Sequence, residues 1–211
     1  MPKWFWAYLF LHVSLFGGEF RLSSAFFSTL SSTKSQAIFK DYERFMNETN
    51  TKSLHVKIEA VNFYINTIVP KDDEQNYGSE DFWASREEFL KNGGGDCEDY
   101  AIAKFYSLAD LGVDKKAMAL CIVREDGDMF DHMVLLLEQK SSQAPLVLDN
   151  LSFKVLNVKQ RYDLHLKHCM NEQGSIKVEE NRLVPNPSRG IPKNYRAMLE
   201  RSRHVSLWQK R

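Results

Sequence analysis

Gly93-Gly94-Gly95-Asp96-Cys97-Glu98-Asp99-Tyr100 is the stretch that decides how the rest of the chain is read. Three successive glycines open backbone conformations closed to other residues and leave their amides exposed. Asp96 can then cap a helix whose inner face carries Ala101, Ile102, Phe105, Leu108 and Ala109, and which ends at Gly112. Cys97 falls in the first turn of that helix, at the positive end of the macrodipole, where a thiolate is favoured. Among three glycines and three carboxylates it is a nucleophile candidate rather than a packed thiol. Cys121, flanked by Ala119, Leu120, Ile122 and Val123, reads instead as a small core residue within a strand. Cys169 follows His168 with neither a glycine loop nor a helix start, and a Cys121 to Cys169 disulfide stands as the lesser alternative for that pair.

Upstream of the glycines the apolar spacing is helical. Ile38, Tyr42, Phe45 and Met46 predict a helix over 36–48, and Leu54, Ile58, Val61, Ile65 and Ile68 predict another over 54–69, stopped by Pro70. The polar run from Lys71 to Glu80 reads as a loop. Ser85 with Glu88 forms a capping box for a short helix through Lys91. Downstream the period changes. Ala117 to Val123, Met133 to Leu137, Leu146 to Leu148 and Phe153 to Val158 predict four consecutive antiparallel strands. Helices followed by strands indicate an α+β domain rather than a doubly wound sheet.

The chain of 211 residues is 43% hydrophobic and 12% aromatic, enough for one sizeable core. Lys plus Arg equals Asp plus Glu at 28 each, so no long-range field favours nucleic acid or an anionic surface. Three cysteines without paired C-x-x-C spacing exclude a disulfide-framework mini-protein and a zinc ribbon. Lys3 precedes an apolar run from Trp4 to Phe16, the length of an export signal's core and short for a spanning helix. Residues 1–25 are therefore read as a signal peptide, with Ser23-Ser24-Ala25 fitting the small-x-small rule better than Gly17-Gly18 does, and an uncleaved anchor as the alternative. Residues 26–211 form a single domain. From about residue 182, Pro185, Pro187 and Pro192 and a basic helix around Asn194 to Trp208 make a packed extension.

A thiol nucleophile needs a base within reach, and the base needs an orienting acceptor. Of six histidines, His132 opens the strand His132-Met133-Val134-Leu135-Leu136-Leu137, where a rigid core can hold an imidazole at the rim. His55, His165, His168 and His204 lie in helical or polar segments without such support. Asp149 ends the next strand, Pro145 to Asn150, so neighbouring strands can bring the two together. Cys97, His132 and Asp149 form a consistent nucleophile, base and orienter. The Cys97 backbone N–H is the natural first oxyanion donor, and the Trp83 indole is a candidate second.

These segments resemble a known family. The blocks Trp83 to Leu90, Gly95 to Lys104, Asp131 to Leu135 and Leu146 to Leu151 are similar, in order, to the bacterial transglutaminase-like cysteine proteinases, and among them to periplasmic adhesin-releasing proteases of the LapG type. The resemblance spans roughly residues 50–165. It implies a papain-like or transglutaminase-like core with N-terminal helices, a central nucleophile helix and an antiparallel sheet, with Cys97, His132 and Asp149 as its triad. It further implies cleavage at a pair of alanines near the N-terminus of a very large repeat-rich adhesin, hence release of the adhesin and biofilm dispersal. Sequestration by an inner-membrane cyclic-di-GMP receptor is implied as well. The tail after Arg182 and Ser85, where Thr-Pro is common, depart from the family pattern.

Asp96 and Glu98 flank the nucleophile, and each opposes thiolate formation unless a cation lies between them. Their hard oxygens suit Ca²⁺, with carbonyls of the glycine run and waters completing the shell. The residues alone leave this open, since Asp96 can simply cap the helix while Glu98 and Asp99 complement its dipole. The resemblance implies calcium at Asp96 and Glu98. Asp99 and Asp126-Gly127-Asp128 are weaker ligand candidates, which read rather as a cap partner and a hairpin turn. Two other functions use the same residues: a transglutaminase or other thiol acyltransferase, in which an amine replaces water, and a non-catalytic binding module on the same fold.

Overall fold

The computed structural model describes residues 18–139 and 143–209, so the apolar run Trp4 to Phe16 lies outside the described residues. Helices come first: α1 Ser24–Phe27, α2 Thr33–Asn50, α3 Leu54–Asn66, α4 Asp73–Tyr77, α5 Arg86–Asn92 and α6 Cys97–Asp110. Strands follow: β1 Met118–Glu125, β2 Asp131–Leu137, β3 Leu146–Leu148, β4 Leu156–Asn157, β5 Leu164–Asn171, β6 Gly174–Glu179 and β7 Arg182–Pro185, before the last described helix, α7 Lys193–Ser202. Among the described residues these strands make one antiparallel sheet in the order β4-β3-β2-β1-β5-β6-β7. The α+β reading holds. The sheet is wider than the four predicted strands, because β5, β6 and β7 carry so many polar residues that their alternation does not stand out.

Helix α6 sits at the centre. Ile102, Phe105 and Leu108 are fully buried on it, between the sheet residues Met118, Leu120, Met133, Leu135 and Leu137 and the surrounding helices. Strand alternation sends the intervening residues to the opposite face, where Ala119, Cys121, Val123, Val134, Leu136 and Val147 form a second, smaller core. That face is closed by the sheet's own edge: Leu183 N–H donates to Glu138 Oε2 at 2.7 Å, so β7 curls back to the end of β2. Within this second core Cys121 stands opposite Cys169 in the β1–β5 register, and the two form a disulfide. The reading of Cys121 as a merely packed thiol is corrected. Its partner strand is too polar to stand out in the sequence, which hides the pairing.

Local signals account for the starts of α5 and α3. Both halves of the Ser85–Glu88 capping box are present at α5, and Ser53 accepts the Val56 N–H at the start of α3. The segment Lys71 to Glu80, expected to be all loop, contains α4, ended by Gly78 at φ 65°. The tail is packed, with Tyr195 and Met198 fully buried and Trp208 stacked on Tyr42. Residues ahead of α1 also lie against the body. Phe20 and Leu22 N–H groups donate to Asn47 Oδ1 and Glu43 Oε1 at 2.7 and 2.6 Å, and Ser23 N–H to the Leu207 carbonyl at 2.8 Å. No helix among the described residues is long and apolar enough to cross a membrane.

Candidate active site

The glycine run delivers Cys97 to the first position of α6 by passing where no side chain fits. A Cβ on Gly94, at φ +145°, meets the Val69 carbonyl oxygen at 2.0 Å, and one on Gly95 meets Asp99 Oδ2 at 2.1 Å. The Gly94 and Gly95 carbonyls accept from Asn76 Nδ2 at 3.3 Å and Lys71 N–H at 2.9 Å. The run is thus tied to α4 and the segment before it. Cys97 is partly exposed and, with the other two cysteines paired, is the free thiol among the described residues.

Cys97 Sγ donates to Glu98 Oε2 at 3.2 Å. The backbone N–H of Met133 faces the same sulfur, which puts the thiol beside the start of β2, next to His132. Burial, then the negative charge of Glu98, push the thiol well above its ordinary range. His132 Nε2 lies 2.8 Å from Asp149 Oδ1, so its other ring nitrogen, Nδ1, is left for a second partner. Asp149 follows β3 and is 1% exposed. Its Oδ1 also accepts the Leu151 N–H at 2.9 Å, its Oδ2 accepts Arg161 Nη1 at 2.6 Å, and its carbonyl accepts Asn66 Nδ2 at 2.8 Å. Burial alone raises this carboxyl. The hydrogen bond and charge of His132, joined by Arg161, outweigh it and hold Asp149 below the usual carboxylate range. Arg161 has no sequence signal, since it sits in a polar turn twelve residues beyond its partner.

The acidic cluster beside the thiol contains one member more than expected. Asp73, Asp96 and Glu98 each offer a carboxylate oxygen, all within 4.8 Å of one another. Asp73 Oδ1 and Asp96 Oδ1 are buried without a hydrogen-bond donor. Burial comes first in each case: with the charges of Asp81 and Asp72 it raises Asp73, with that of Asp73 it raises Glu98, and with those of Glu98, Asp99 and Asp73 it pushes Asp96 up to about 9. Asp96 occupies the N-cap position of α6, yet its side chain makes no capping bond, which removes the simple capping account of this residue. Three converging carboxylates, two of them with a buried, partnerless oxygen, fit a hard divalent cation. Asp73 lies in the segment that reads as a loop, and no local spacing ties it to Asp96, so the sequence carries no sign of its part in the cluster.

Other expectations are adjusted. The Trp83 indole N–H donates to Asp81 Oδ1 at 2.8 Å, so this group is engaged and is not a free oxyanion donor. The Cys97 N–H, at the first helical position, has no intrahelical acceptor. Asp99 Oδ1 accepts the Ala84 N–H at 2.6 Å and anchors the segment before α5. Asp126-Gly127-Asp128 turns the β1–β2 hairpin, with Gly127 at φ 83°. His165 and His168 lie on β5, contrary to expectation, and bond to Asp126 and Ser175 at 2.6 and 3.1 Å. A free thiol at a helix start, an imidazole held by a buried anionic carboxylate and a backbone N–H at the thiol are the groups that thiol-mediated acyl transfer needs.

The family model described as bacterial transglutaminase-like cysteine proteinase, BTLCP, matches residues 27–181. The chain belongs to this family. It is a cysteine proteinase by that membership, with the α+β fold of the group. Solved structures of LapG from Legionella pneumophila share the architecture. The calcium-bound form is 26% identical with a TM-score of 0.70, covering 82% of this chain and 94% of its own. A second LapG structure is 25% identical with a TM-score of 0.71, covering 87% and 99%. An EGTA-treated form, at 24% identity and a TM-score of 0.70, shares the fold over the same 87% and 99%. No curated protein matches the chain.

Proposed function

We propose that this proteinase is a calcium-dependent endopeptidase of the periplasm that cleaves the N-terminal region of a large surface adhesin at a dialanine site, releasing it and promoting biofilm dispersal. The observation that carries the catalytic part is the meeting of the Cys97 thiol with the start of β2, where His132 is held by Asp149 at 2.8 Å. His132 Nδ1 takes the Cys97 proton, and the thiolate attacks the scissile carbonyl, whose developing oxyanion accepts the Cys97 N–H. His132 returns the proton to the leaving amine as the C–N bond breaks. Water, deprotonated by the same imidazole, then hydrolyses the thioester and regenerates the thiol. Asp149 orients the imidazole throughout and stays anionic.

Asp73, Asp96 and Glu98 are the residues that hold the calcium ion, whose charge when bound offsets theirs and favours the thiolate beside them. The calcium-bound LapG relative supports this reading. An export signal over the first residues, with a disulfide at Cys121 and Cys169, suits an oxidising compartment. The packing of Phe20, Leu22 and Ser23 favours processing near Gly17-Gly18 over processing after Ala25. The adhesin and the sequestering cyclic-di-GMP receptor are proposed from the family resemblance. The test incubates purified protein with the N-terminal fragment of a giant repeat-rich secreted protein encoded by the same genome. One cut at an alanine pair, lost with a calcium chelator, restored by calcium and absent in Cys97→Ala, is expected. Cleavage by Cys97→Ala overturns the mechanism, and indifference to chelation removes the calcium.

A further inference from the structure

The two oxygens of Asp149 do different work. Oδ1 receives His132 Nε2 and the Leu151 N–H, whereas Oδ2 receives Arg161 Nη1 alone among the described residues. Arg161, in the turn between β4 and β5, is itself fixed. Its Nε donates to Asp163 Oδ1 and Oδ2 at 3.0 and 3.1 Å, its Nη2 to Asp163 Oδ2 at 2.8 Å, and Glu125 Oε1 lies 3.8 Å from Nη2. Only 12% of its side chain is exposed. Arg161 lines a cavity of about 200 Å³ beside the second core together with Val134, Val147, Val158 and Leu164. The guanidinium is therefore a rigid fork with one prong on Asp149 and the rest on Asp163, the geometry in which arginine fixes a carboxylate rather than merely neutralising it. Rotating the Asp149 carboxylate away from His132 breaks the Arg161 bond as well. Fixing one oxygen fixes the other.

We propose that Arg161 is a positioning residue for the thiol chemistry: it locks the Asp149 carboxylate in the one rotation that presents Oδ1 to His132. It acts through Asp149 and touches neither thiol nor imidazole in the hydrogen-bond network. This role rests on Cys97, His132 and Asp149 acting as the triad proposed above.

The test measures the rate at which iodoacetamide alkylates Cys97 in folded protein with calcium present, at one pH, for wild type, His132→Ala, Asp149→Asn, Arg161→Gln, Arg161→Lys and the doubles with Asp149→Asn. Arg161→Gln should slow alkylation by on the order of tenfold. Arg161→Lys should recover part of that loss, because an ammonium can still donate to Oδ2. In the Asp149→Asn background, removing Arg161 should change nothing further, since its target is gone. Additive losses in the double variants, or a wild-type rate in Arg161→Gln, overturn the proposal. If Arg161→Gln does not fold, the same cycle is read with Arg161→Lys. His132→Ala separates the triad from its support. A rate unaffected by His132→Ala ends the catalytic reading and this proposal with it, whereas a slow His132→Ala beside a fast Arg161→Gln ends this proposal alone.

Discussion

Asp73, on α4, places a carboxylate oxygen within 4.8 Å of one from Asp96, at the start of α6, although neither residue has a sequence pattern in common with the other. The glycine run makes this possible, because Asn76 of α4 donates to the Gly94 carbonyl and so docks the short helix beside the thiol. Replacing Asp73 by Asn keeps the shape and removes one charge from the cluster. Calcium affinity, measured by isothermal titration calorimetry, should fall by about tenfold or more, with Asp96→Asn and Glu98→Gln falling comparably. An unchanged affinity in Asp73→Asn removes that residue from the proposed ligand set.

The triad should show graded losses in peptide cleavage. Cys97→Ala removes the covalent route and should leave no turnover. His132→Ala should lower the rate by about 10²–10⁴-fold, because His165 and His168 are engaged elsewhere, on β5. Asp149→Asn should retain the largest residue of activity, since this group orients without transferring the proton. A double Cys121→Ala/Cys169→Ala variant should keep most activity while losing about 2–4 kcal/mol of stability, read from urea unfolding. If Asp149→Asn were as active as wild type, Asn150 would become the next candidate orienter.

How much of this is legible in the sequence depends on whether the cause is local. The capping box at Ser85, the period of α3 and the helix start at Cys97 are written within a few neighbouring residues, and each forms, although α3 ends at Asn66 and the Asp96 side chain makes no capping bond. The His132–Asp149 meeting is also accessible, because both sit at ends of strongly apolar strands that pair in register. Asp73, Arg161 and the disulfide are not. Each depends on segments brought together by the tertiary fold. Leu164-His165-Leu166-Lys167-His168-Cys169 alternates in part, but its polar residues are rich in histidine and lysine, and β5 does not stand out as a strand. Without β5 there is no register to place Cys169 opposite Cys121.

Gly94 admits a sharper test than the other glycines. Its positive φ and the Val69 oxygen, 2.0 Å from where a Cβ would sit, act together, so Gly94→Ala cannot be accommodated by a side-chain shift. It should destabilise the protein by roughly 1–3 kcal/mol or more in thermal or urea unfolding. It should also lower cleavage at temperatures where the variant is folded, because the backbone leading to Cys97 must move. Gly78→Ala, at φ +65° with open space around it, should cost less and spare activity. Equal effects at the two positions would contradict a close approach at Gly94.

Lys104 provides a pH-dependent prediction away from the proposed ion ligands. It lies on α6, is fully buried, and its Nζ has no hydrogen-bond partner among the described residues. Burial lowers it to about 7, and the nearby charge of Asp149 only partly opposes that. Between about pH 7 and the ordinary lysine range near 10.4, the unfolded chain therefore binds a proton that the folded chain does not, and stability should rise with pH through this window. Below about pH 7 both states are protonated, and folding carries the full cost of a buried, partnerless ammonium. Lys104→Met fills similar volume without the charge. It should be more stable than wild type by on the order of 1–3 kcal/mol at pH 6, with the difference shrinking toward about pH 9.5. The comparison uses the difference between the two proteins, so tyrosines and other groups that titrate in both cancel. A Lys104→Met protein that is less stable at pH 6, or whose advantage does not shrink with rising pH, shows that Lys104 holds its charge through a partner and that its burial is not the dominant effect.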